Sequence, residues 1–108
     1  PWPAAPEIRI DALEGLRLDE LQSRALPPVE SFTNAAADTL TARLSFDERG
    51  EVSHVLLESR AADAAINRSV VRALYGWRLT AGGAREARVT ITYAPVEPRP
   101  RRAAVPVG

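Results

Sequence analysis

The side chains that could do chemistry are few and scattered. The only histidine is His54 and there is no cysteine. Zinc takes three or four nitrogen, sulfur or carboxylate ligands, so His54 alone builds no site. Ser59 and Ser69 offer hydroxyls and Asp63 a carboxylate, but no base stands at a spacing that marks an activated nucleophile. Asp47 and Glu48 make an acidic pair in "DERG". A calcium loop needs many more oxygens at fixed spacing, so these two belong to an ordinary turn. Gly82-Gly83 would cradle a phosphate ahead of a helix N-terminus, and here a strand pattern follows instead. The expectation is a protein without catalysis, metal or cofactor.

Charge narrows the partners. Fourteen basic residues, all arginine, balance fourteen acidic ones. Nucleic-acid binders carry a net positive field, so no nucleic acid is expected. Arg68, Arg72 and Arg78 form a basic stripe near Asp63 and Glu58, as a solvated charged face does. Arg99, Arg101 and Arg102 sit in a Pro-rich tail, a solubilising segment or one suited to anionic lipid or peptidoglycan. The absence of cysteine excludes disulfides. No apolar run nears the roughly 18 residues of a membrane span, and no signal sequence opens the chain. Pro1 in place of Met gives the expectation of a soluble piece of a longer protein.

The elements that must position these residues follow from periodicity. "TLTARLSF" (39–46) alternates strictly, with Leu40, Ala42, Leu44 and Phe46 on one face. The "DERG" turn leads into "EVSHVLLES", where the three-residue step from Val52 to Val55 predicts a bulge. In "AADAAINRSVVRALYGW" the period becomes helical through Ile66, Val70, Ala73, Leu74 and Trp77, with Asp63 near the positive N-terminal end. Trp77 in that register is a core residue. "ARVTITY" then alternates through Val89, Ile91 and Tyr93, and Pro95 ends it.

The prediction is an α+β fold: a small two-layer domain with a β-β-α-β core. Its three-stranded antiparallel sheet has order 2-1-3, with one helix, about 63 to 76, on one face. Residues 1–34 are expected as a Pro-rich linker with a short helix near 12 to 25, from the capping-box spacing of Asp11 and Glu14 and the leucines 13, 16 and 21. "EIRID" within it alternates like a strand. The domain proper spans 35–95, and 96–108 form a disordered basic Pro-rich tail.

"LSFDERGEVSHVLLESRAADAAINRSVVRALYGWRL" followed by "ARVTITYA" resembles the C-terminal domain of TonB-type energy transducers. Asp47 and Gly50 match the family's turn; Val52, Val55 and Leu57 its V-x-x-V-x-V strand; Ala73, Leu74, Trp77 and Leu79 its helix end; and Val89, Ile91 and Tyr93 its last strand. The resemblance covers residues 40 to 94. It implies a periplasmic domain tethered through a Pro-rich linker to an inner-membrane helix outside this chain. Its partners would be a segment of an outer-membrane TonB-dependent receptor and, through the missing part, a motor of the ExbB and ExbD type. Such domains act without cofactor, by adding the receptor's extended segment to their sheet.

In the 2-1-3 order the last strand has one free edge. The expected partner-binding residues are therefore Arg88, Val89, Thr90, Ile91, Thr92 and Tyr93. The same edge could instead be covered by the N-terminal segment or by a second copy in a homodimer. Two other functional classes fit the composition: a structural or assembly domain of a cell-envelope or secretion complex, and a small-ligand sensor, which would need a pocket.

Overall fold

The computed structural model describes residues 7–28 and 37–94. Its spine is the strand whose alternation is strictest. Leu40, Ala42, Leu44 and Phe46 of Asp38–Phe46 are all buried on one face, and Thr39, Thr41, Arg43 and Ser45 take the other. Numbered along the chain, the strands are β1 (Glu7–Glu14), β2 (Leu21–Ser23), β3 (Asp38–Phe46), β4 (Val52–Ser59), β5 (Arg78–Leu79) and β6 (Arg85–Ala94), with one α-helix, α1 (Ala64–Leu74).

The β3–β4 hairpin turns on Asp47. Its carboxylate accepts from the amides of Arg49 (2.9 Å) and Glu51 (3.0 Å), and its carbonyl from Gly50 (3.0 Å). Gly50 has φ 84°, where a side chain is strained. The ladder slips between Ser45 and Phe46, opposite His54 and Val52. That is the bulge predicted from the Val52-to-Val55 step.

Helix α1 starts at Asp63, whose carboxylate accepts from the Ala65 amide at 2.9 Å. This removes an unpaired donor and places negative charge at the positive end of the helix. Ile66, Val70 and Leu74 are fully buried, each contributing about 1.5–3 kcal/mol of transfer free energy. Trp77 follows in the same core at 1% exposure, and its indole donates to the Ala25 carbonyl at 2.8 Å. Leu16 and Leu21 from the N-terminal segment and Leu79 from β5 close that end.

Sheet order is β1-β6-β3-β4, antiparallel throughout, with β2 and β5 forming a separate two-stranded ribbon. The predicted order 2-1-3 survives as β4-β3-β6. The three-stranded count does not, because a fourth strand lies on β6. "EIRIDALE" sets Ile8, Ile10 and Leu13 beside Tyr93, Ile91 and Val89, with one bulge between Ile10 and Ala12. Burying that apolar alternation along an available edge outweighs the weak helical spacing, so the helix expected near 12 to 25 does not form. In its place the chain turns at Gly15, makes a 3₁₀ turn (Leu18–Glu20) and runs into β2. Gly15 has φ 92°, and a Cβ there would stand 2.6 Å from the Glu86 carbonyl oxygen. The basic tail expected over 96–108 lies outside the described residues.

Candidate functional site

The six residues expected to receive a partner all lie on β6, and both edges of β6 are paired. Residues Arg88 to Tyr93 face Arg43 to Asp38 of β3 on one side and Glu14 to Ile8 of β1 on the other. Val89, Ile91 and Tyr93 are core residues. Burial, with the nearby charges of Asp38 and Asp63, raises the Tyr93 phenol's pKa. Thr90 and Thr92 share hydrogen bonds with Thr41 and Thr39 at 3.3 and 3.2 Å. The open edge expected on β6 is thus occupied by the N-terminal segment, one of the two alternatives given for that edge.

Arg88 is the centre of an ion-pair network on the sheet face opposite α1. Its guanidinium meets Glu58 at 2.6 Å and Glu14 at 3.2 Å, and Arg43 meets Glu58 at 2.8 Å. The Arg88 hydrogen bond holds the Glu58 carboxyl below the usual range, and the charge of Arg43 adds to it. Each of these four groups has an opposite charge within 3.2 Å.

Among the described residues, the free edges of the sheet are the outer sides of β1 and β4. Beside β1's edge stand Glu7, Arg9 and Asp11, paired along their own strand; such charges discourage strand addition. Beside β4 the surface is different. Val55 and Leu57 are half-buried toward the helix side, while Leu56 on the other face is 51% exposed. The outer stripe of α1 overhangs this edge, and between them runs a groove of about 590 Å³. Apolar Val55, Leu57 and Val71 form its floor and helix wall, and Arg60, Arg68 and Arg72 its rim.

The loop leading into α1 is fixed at two points. Asn67, buried, accepts from the Ala61 amide at 2.8 Å and donates to the Ala61 carbonyl at 2.9 Å. Asp38 accepts from the amides of Ala62 (2.9 Å) and Thr39 (2.8 Å), and these bonds, Ala62's first, lower its pKa. The end of the rim that carries Arg60 is therefore built on a braced loop.

Of the basic stripe read from sequence, Arg68 and Arg72 meet in this groove, whereas Arg78 is on β5 paired with Glu51. Arg60 was missed, because only the turn after β4 brings it beside the helix. His54 is exposed on β4, Asp63 is a helix cap, and neither Ser59 nor Ser69 hydrogen-bonds them among the described residues. Among the described residues no group of three or more His, Cys, Asp or Glu side chains could hold a metal ion. No described helix is long and apolar enough to cross a membrane. Comparison with family models, curated proteins and solved structures gives no match.

Proposed function

We propose that this domain is a non-catalytic protein-binding module of the TonB type, which takes up an extended segment of an outer-membrane receptor by strand addition. In that role it stands in the periplasm, tethered to the inner membrane by a segment outside this chain, and passes on the work of an ExbB and ExbD type motor. What supports the reading is the unpaired edge of β4 beside an apolar groove, since an extended chain satisfies an open edge with main-chain hydrogen bonds while a groove selects its side chains.

The occupied edge of β6 favours a second reading: a structural or assembly domain of an envelope or secretion complex with no receptor partner. Titration with an extended peptide from a receptor's periplasmic segment, followed by backbone amide shifts, separates the two. Shifts confined to residues 53–59 and the facing side of α1 are expected; a domain that stays silent toward every such segment overturns the receptor role.

A further inference from the structure

The groove beside β4 has a charge pattern that its surroundings do not neutralise. Arg9, Arg17, Arg43, Arg78, Arg85 and Arg88 each stand within ion-pair distance of a carboxylate. Arg60, Arg68 and Arg72 do not among the described residues; all three are exposed, and no acidic residue lines the groove. Three cations gathered on one rim, with an apolar floor below, have no partner within the described fold.

The geometry points to an extended acidic polypeptide segment as the occupant, laid along the outer edge of β4 with carboxylates on alternate residues. This rests on taking β4 as the docking edge and adds the chemistry of what docks. The ladder places Val55 and Leu57 opposite Leu44 and Ala42, and the Val55 amide donates to a group outside the sheet. By the alternation of an antiparallel ladder, Leu57 presents its amide and carbonyl to the same open side.

Spacing supplies the second constraint. Arg68 and Arg72 are one helical turn apart, about 6 Å along the axis, and side chains on one face of a strand recur at about 6.6 Å. Helix and strand run side by side in opposite directions, since Tyr75 at the helix end reaches Val55 while Asp63 at its start follows Ser59 closely. A strand on β4 therefore brings residues i and i+2 opposite the two arginines, and Arg60 stands near the beginning of the helix to meet a further acid. The intervening residues face the other side of the sheet, beside exposed Leu56.

The test uses the whole 108-residue chain and three synthetic nine-residue peptides of alternating Val or Thr, with Glu, Gln or Lys at every second position. Anisotropy is expected to show the Glu peptide binding about tenfold more tightly than the Gln peptide, as two or three partly exposed ion pairs provide. Arg68→Gln with Arg72→Gln should remove that advantage and leave the Gln peptide's affinity unchanged, and 0.5 M salt should do the same. Amide shifts must appear at Val55 and Leu57, and N-methylating the peptide on its β4-facing residues must abolish them. Equal binding of Glu and Gln peptides at β4 overturns the acidic selectivity while keeping the docking edge. No binding by any peptide overturns both. Sedimentation showing a dimer that the double variant dissolves overturns the proposal in favour of a second copy.

Discussion

The hydroxyl of Tyr75 accepts a hydrogen bond from the backbone amide of Val55 at 3.3 Å. Tyr75 ends α1 as its C-cap and is 46% exposed, while Val55 lies on the unpaired edge of β4. One side chain thus stands where the carbonyl of an added strand would sit. The bond is long and its donor is near solvent, so exchange for a peptide carbonyl is nearly balanced.

Tyr75→Phe should uncover that amide. A neutral hydrogen bond contributes about 0.5–1.5 kcal/mol, so folding stability should fall by no more than that, while affinity for an extended peptide should rise several-fold. Amide exchange at Val55 in the free domain should quicken. An unchanged exchange rate at Val55 would show that the hydroxyl protects nothing.

Trp77→Ala should cost about 3–5 kcal/mol, the usual penalty for emptying a buried indole site, read as a lowered midpoint in chemical denaturation. Trp77→Phe separates packing from polarity. It keeps most of the ring but drops the donor to the Ala25 carbonyl, and should cost about 1–3 kcal/mol. Loss of that bond should also loosen residues 24–28, seen as faster amide exchange there.

Much of the fold was legible because its strongest signals are local. The alternation of β3 and β6, the Asp47 turn and the Ile66-Val70-Leu74 stripe each specify one element, and sheet order follows from burying all three together. The N-terminal segment was misread because Leu13, Leu16 and Leu21 fit a helical stripe only by spacing. In the structure Leu13 belongs to a strand, while Leu16 and Leu21 enter the core from separate pieces of chain. The partner of β1 is β6, with Ile10 opposite Ile91, 81 residues on, and pairing at that distance leaves no local trace beyond "EIRID". The candidate site suffered in turn. Once β1 takes the edge of β6, the edge of β4, free in either order, is the one left beside an apolar groove, and Arg60 joins that groove through a turn that no periodicity describes.

Removing residues 1–14 should expose the edge of β6 along with the apolar surface that Ile8, Ile10 and Leu13 cover. An uncovered edge of high β-propensity templates self-association. The truncated chain should therefore denature at a lower midpoint and sediment as oligomers, and a peptide of residues 7–14 added in trans should reverse both. A monomer of unchanged stability would show that β1 is not integral to the domain.

Acid should weaken the loop that carries Arg60. The Asp38 carboxyl is held below its ordinary value by the Ala62 and Thr39 amides, and Glu20 is lowered chiefly by its bond from the Arg17 amide. A carboxyl with a depressed folded pKa stabilises fully above its unfolded value, near 4, and loses that contribution as pH falls through the folded value. Thermal midpoints should accordingly drop below pH 4. Asp38→Asn should be less stable than the parent at pH 7 and converge with it toward pH 2; a constant gap across that range would mean the charge of Asp38 is immaterial.

Asn67 provides the opposite sign. Its amide both accepts from the Ala61 amide and donates to the Ala61 carbonyl, so one buried side chain closes two backbone groups just after Arg60. Asn67→Ala leaves both unpaired and should cost on the order of 3 kcal/mol, at about 1–3 for each stranded group. Asn67→Asp keeps the shape but, when ionised, can only accept, and it faces the Ala61 carbonyl with like partial charge. The introduced carboxyl is favoured neutral in the folded state, because only the acid form can donate to that carbonyl. Its folded pKa should be raised above the unfolded value of about 3.9, which makes its stabilisation full below pH 4 and lost as pH rises through the folded value. Asn67→Asp should therefore approach the parent's stability in acid and fall away from it by pH 7, the reverse of Asp38→Asn. A pH-independent deficit in thermal midpoint would show that the side-chain nitrogen makes no bond that matters to the loop.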